Sequence, residues 1–151
     1  MVARRCRRGR MPYLPDAVNA PFRMIDILEQ LVDVTGEPQT VALLVDRHGK
    51  PLTAMQRAGA VPCDDLLDLC TVCSGESRID SDLDGDSDPV EVELLVIASW
   101  RPNTWAQPSD DDRRCWSAML ERTADGEVHL VDWLLVDGPS VTSMALTCGR
   151  C

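Results

Sequence analysis

The stretch "ASWRPNTWAQPSDDD", residues 98–112, runs from an apolar strand end through a proline to Pro108, Ser109 and three aspartates. Ser109 followed by acids is a helix start: the hydroxyl accepts from an orphan amide, and negative charge suits the positive end of the helix dipole. Upstream, "VEVELLVIAS" (90–99) passes from alternation into a continuous apolar run, which predicts a strand buried on both faces. Downstream, "DDDRRCWSAMLERTADG" (110–126) predicts a helix, and "VHLVDWLLVDG" (128–138) and "SVTSMAL" (140–146) predict two closing strands.

The rest of the chain fits around this segment. "NAPFRMIDILEQLVDVTG" (19–36) carries Phe22, Ile25, Leu28, Leu31 and Val32 at helical spacing and stops at Gly36. "TVALLVDRHGKPLTAMQRAGA" (40–60) places two extended runs about a His-Gly turn, a hairpin signal. "PCDDLLDLCTVC" (62–73) predicts a short helix with Leu66, Leu67 and Cys70 on one face, and the acidic residues 74–90 predict a surface loop. Together these give an α/β class with a central mixed sheet flanked by helices.

At 151 residues the chain suits one domain with a proper core. The expected division is a basic, disordered arm at 1–12 and a single domain at 13–151. Arg4, Arg5, Arg7, Arg8 and Arg10 place five of fifteen cations in the first ten residues, leaving ten against all twenty-five anions beyond them. So acidic a body repels phosphate backbones, and nucleic acid is expected only through the arm. Met11 directly follows the arm and offers a second start. No window has the roughly 18–20 apolar residues of a membrane span, and no apolar stretch follows the basic N-terminus, so neither insertion nor secretion is expected. Seven cysteines, an odd count, argue against a closed disulfide framework and predict buried thiols in a reducing cytoplasm.

Ser99-Trp-Arg101-Pro102, then Pro108-Ser109-x-x-Asp112 opening a helix, then a strand with Asp132 at its head, resembles the RadC-like branch of the JAB (or MPN) metalloprotease fold. In that family a strand ends in His-x-His-Pro, a loop leads to Pro-Ser-x-x-Asp, and a later strand begins Asp-His. The spacing from Pro102 to Pro108, Ser109 and Asp112 matches without a gap, and residues 40–60 are similar to the family's first hairpin. The resemblance covers about residues 40–145 and rests on order and spacing more than identity.

It implies a zinc site of two histidines and an aspartate, with a hairpin glutamate as general acid/base. Carried over, the histidines fall on Ser99 and Arg101, the aspartate on Asp112 and the glutamate near Thr53. Serine is a poor zinc ligand and a guanidinium offers no lone pair, so this set does not hold zinc. No glutamate lies between Glu37 and Glu76, and the only histidines, His48 and His129, fall elsewhere. The expectation is a pseudoenzyme with no cofactor. Asp112 has two expected roles: a bridge to Arg101, whose charge would replace the metal's, and a capping box with Ser109; both can hold, or the capping box can stand alone while Arg101 meets water.

Two other metal patterns need weighing. Asp80, Asp82, Asp84, Gly85, Asp86, Asp88 and Glu91 match a calcium-loop template, but Ser87 stands where an apolar residue is needed, Pro89 precedes the twelfth position, and a strand follows. A solvated acidic loop explains the match as well. Cys70-x-x-Cys73 and Cys148-x-x-Cys151 have structural-zinc spacing, against which stand buried or idle thiols. Trp116 and Trp133 are expected in the core, while Trp100 and Trp105 flank the loop as candidates for an exposed protein-binding surface.

Three functions follow. The first is a catalytically inactive JAB-type domain that binds another protein as an interaction or scaffold module. The second is a metal-binding protein using the acidic loop or the cysteine pairs. The third, a residual enzyme, comes last because nothing in the sequence positions a nucleophile with a base.

Overall fold

The computed structural model describes residues 24–25, 37–46, 51–59, 61–75, 78–79, 90–101, 108–137 and 140–149. Seven strands are present: β1 (Gln39–Val45), β2 (Pro51–Ala58), β3 (Arg78–Ile79), β4 (Val90–Glu91), β5 (Leu94–Trp100), β6 (His129–Asp137) and β7 (Ser140–Ser143). Three helices are delimited among the described residues: α1 (Cys63–Gly75), α2 (Asp110–Thr123) and α3 (Met144–Cys148). The main sheet has the order β2-β1-β5-β6-β7, with β3 and β4 paired separately. β5 and β6 run parallel, with α2 connecting them, and the other main-sheet neighbours are antiparallel. The fold is therefore α/β with a mixed sheet, as the element order predicts.

Every residue of β1 and of β5 is buried, because the central strands are covered on both faces. Ala42, Leu44, Leu95, Ile97, Trp133 and Leu135 pack with Leu66, Leu69 and Cys70 of α1 and Cys115, Trp116 and Met119 of α2. The alternate positions, Val41, Leu43, Val96, Ala98 and Trp100, pack with Met24 and Ile25. Met24 and Ile25 are helical; the rest of the helix predicted over 19–36 lies outside the described residues.

Several expectations change. The inward positions of α1 are Leu66, Leu69, Cys70 and Cys73, so Leu69 takes the place assigned to Leu67, which is only partly buried. The strand predicted over 90–99 is two pieces, β4 and β5, interrupted at 92–93. The ends of the predicted acidic loop pair as β3 and β4, while residues 80–89 lie outside the described residues. The last predicted strand turns into α3 at Ser143, whose hydroxyl accepts from the Leu146 amide, and Asp132 accepts from the Ala145 amide at 3.0 Å. Capping chemistry wins there over the apolar alternation of "SVTSMAL". Trp100 is 6% exposed, packed among Val41, Ala98 and Val136, which removes it from any surface patch. Trp105 lies outside the described residues; Trp116 and Trp133 are in the core as expected.

Cys63 and Cys115 form a disulfide between α1 and α2, with Cα atoms 5.8 Å apart. This corrects the expectation of thiols throughout. An odd cysteine count excludes complete pairing, not a single pair. Among the described residues, no helix is long and apolar enough to cross a membrane.

Candidate functional site

Ser99 is the penultimate residue of β5, and Arg101 directly follows the strand. Ser99 is buried at 3% exposure and sits opposite Thr40 in the antiparallel register of β1 and β5. Their hydroxyls lie 2.9 Å apart, and Trp133 Nε1 donates to Ser99 Oγ at 3.0 Å. Ser99 is thereby committed to two protein partners. Arg101 leaves the strand with its amide donating to the Val136 carbonyl at 2.8 Å, which fixes the backbone from which its side chain departs.

The Arg101 guanidinium donates from Nη1 to Asp112 Oδ1 at 2.8 Å and lies 5.2 Å from the Trp133 ring centroid. Attraction to the ring's negative face and to the carboxylate acts on the same cation. Asp112 also accepts from the Ser109 amide through Oδ2 at 3.0 Å, and its own amide donates to Ser109 Oγ at 3.1 Å. The bridge and the capping box hold together, as the sequence allowed, because the two carboxylate oxygens serve different donors. Burial alone would raise the Asp112 pKa. The Ser109 amide and Arg101 outweigh it and hold the carboxyl below its ordinary value.

The site therefore gathers Ser99 from β5, Arg101 from just beyond its end, Asp112 from α2, Thr40 from β1 and Trp133 from β6. Sequence reading named the first three. Trp133 had a signal, since it directly follows Asp132 where the family pattern reads Asp-His; Thr40 had none, being placed by register alone. Thr53 lies on edge strand β2, opposite Leu44 in the β1 register and partly buried. His129 is exposed at the start of β6, and His48 lies outside the described residues. Chemically, the cluster offers a carboxylate already neutralised by an arginine and a serine held between a hydroxyl and an indole; among its residues no imidazole or second carboxylate stands ready as a base.

The other metal candidates are not assembled among the described residues. No group of three or more His, Cys, Asp or Glu side chains forms a cation site there. Asp80, Asp82, Asp84, Asp86 and Asp88 lie outside the described residues, while Glu91 belongs to β4. Cys70 and Cys73 are buried on α1, where burial and the neighbouring Cys73 push the Cys70 thiol up to about 12. Cys148 ends α3, and Cys151 lies outside the described residues. No protein-family model matches the chain, and no curated protein matches it.

Proposed function

We propose that the chain is a catalytically inactive RadC-like JAB domain that serves as a protein-interaction or scaffold module. The observation that carries this reading is the Arg101–Asp112 bridge, placed where the resemblance puts a zinc ion between its ligands. A cation still faces the carboxylate, but it is a fixed side chain that activates no water. Ser99, in the other ligand position, is turned to Thr40 and Trp133. The α/β class, the hairpin, the strand leading to Arg101 and the capped helix carrying Asp112 support the same reading. With the chemistry removed and the scaffold retained, binding another protein is the role left to the domain.

Reversal tests the reading. The double variant Ser99→His with Arg101→His is expected to acquire stoichiometric zinc that is lost again on adding Asp112→Ala, while the native chain binds none at this site and cleaves no isopeptide bond. Stoichiometric zinc in the native chain that disappears on Asp112→Ala would overturn the proposal.

The metal-binding reading gains no support from the buried Cys70 and Cys73 thiols, and no observation at the acidic loop favours it.

A further inference from the structure

Among the described residues, the first turns of α2 are tied inward at Asp112, Cys115 and Trp116. Asp110, Asp111, Arg113 and Arg114 are exposed, and the Arg114–Asp111 pair at 3.7 Å lies within the helix itself. The inward ties in this part of the helix are Asp112 to Arg101, Cys115 to Cys63, and Trp116, whose Nε1 donates to the Gly149 carbonyl at 2.8 Å. Further along, Met119 is in the core and Arg122 donates to Thr71 of α1 at 3.2 Å. The disulfide thus joins the two helices towards their N-terminal ends, and the Arg122–Thr71 bond joins them towards their C-terminal ends. Cys115 is one turn beyond Asp112, so the bond that fixes Cys115 also fixes the carboxylate opposite Arg101.

The two half-cystines are unequally exposed. Cys63 is partly exposed at the first position of α1, whereas Cys115 is 4% exposed. An incoming thiolate therefore meets Cys63 first. Cys70 lies two turns along the same helix, but it is buried with its thiol pushed up to about 12, so it supplies little thiolate to compete for the bond.

We infer that Cys63–Cys115 is a redox-controlled clasp, opened by a dithiol reductant, that sets how firmly the first turns of α2 are held against the Arg101 end of β5. The reductant's thiolate attacks Cys63 Sγ, the Cys63–Cys115 bond breaks, and Cys115 leaves as a thiolate that takes a proton from water. The reductant's second thiol, losing its proton to water, then attacks the mixed disulfide, closes its own disulfide and releases the Cys63 thiolate for protonation. The protein gains two electrons and two protons, and the dithiol loses the same. A disulfide oxidant such as glutathione disulfide reverses the change. Disulfides that form in a reducing compartment are characteristically transient, so a cytoplasmic setting and this bond are compatible if the clasp cycles. The inference stands on the α1–α2 geometry and is independent of whether the site once held metal.

Hydrogen exchange on the full chain tests it, in glutathione disulfide and in dithiothreitol, with the Cys63–Cys115 linkage followed by peptide mapping. Reduction is expected to break the linkage in the folded protein and to speed exchange of the 110–116 amides about tenfold or more. Amides 69–73, away from the disulfide on α1, should hold their rates, and reoxidation should restore the slow pattern. Cys63→Ser, which alters the more exposed partner, should show the fast pattern in both conditions. Equal exchange in the two states, a rise spread over all amides, or a linkage that resists dithiothreitol until the protein unfolds would each overturn the clasp.

Discussion

Arg101 and Asp112 face each other across 2.8 Å, and the same carboxylate reaches the Ser109 amide through its other oxygen. One side chain thus joins the end of β5 to the start of α2. Its 13% side-chain exposure makes loss of the cation costly, whereas Arg101 at 32% keeps some contact with water. Arg101→Ala is expected to destabilise the fold by about 1–2 kcal/mol, between exposed and buried charge-assisted bonds. In the Asp112→Asn background most of that loss should vanish, and a urea-denaturation cycle measures the difference. Additive effects would mean that the two residues touch without depending on each other.

The same pair sets a pH dependence. The Asp112 pKa is lowered in the folded chain, so its contribution to stability is present in full above the unfolded value near about 4. It is lost as pH falls through the lower, folded value. Comparing native chain with Asp112→Asn, the stability gap should be constant from neutral pH down to about 5 and shrink below it. A gap that grew on acidification would contradict the sign.

Ser99 gives a second mutational test because its hydroxyl is buried and shared. Removing it in Ser99→Ala leaves Trp133 Nε1 and Thr40 Oγ1 without that partner, at a cost of about 1–3 kcal/mol. Ser99→Ala with Trp133→Phe should lose less than the sum of the two, since the second change removes the indole donor that the first strands. Equal or greater loss would show that Trp133 acts here through volume alone.

The elements were legible where the physics is local. The run from Leu94 to Ser99 predicted a fully buried strand, and Ser109 with Asp112 predicted the capped start of α2, because burial pattern and capping are written in neighbouring residues. Residues 144–146, the end of the predicted strand 140–146, are helical instead because the deciding groups, Asp132 and the Ser143 hydroxyl, come partly from another element. The same reason hid Thr40, which meets Ser99 through register, and Cys63 with Cys115, which are 52 residues apart. The pairing of Arg101 with Asp112 was foreseeable as an option compatible with the capping box, but whether it forms depends on the course of a side chain that no neighbouring residue fixes.

The disulfide adds a chain-entropy effect to its local one. Closing a loop across 52 residues restricts the unfolded chain by about 4 kcal/mol in the loop-closure model. The double variant Cys63→Ser with Cys115→Ser should match reduced native chain in denaturant midpoint, and oxidised native chain should exceed both by up to that amount. Oxidised and reduced chains with equal midpoints would show that the bond constrains nothing the unfolded chain explores.

Asp132 should be among the most sensitive polar positions in the chain, even though it lies outside the Arg101 site. It is 7% exposed and accepts from the Trp133 amide at 2.8 Å, from the Ala145 amide at 3.0 Å and from the Ser143 hydroxyl. Those bonds tie the middle of β6 to the turn where β7 becomes α3. Asp132→Ala would leave buried donors from two elements unmatched, at about 1–3 kcal/mol for each one not recovered by water, so a loss of roughly 3 kcal/mol or more is expected. Asp132→Asn keeps one acceptor oxygen and should cost less. Near-neutral behaviour of Asp132→Ala in urea denaturation would mean that the β7–α3 turn finds other acceptors, and that Ser143 alone starts the helix.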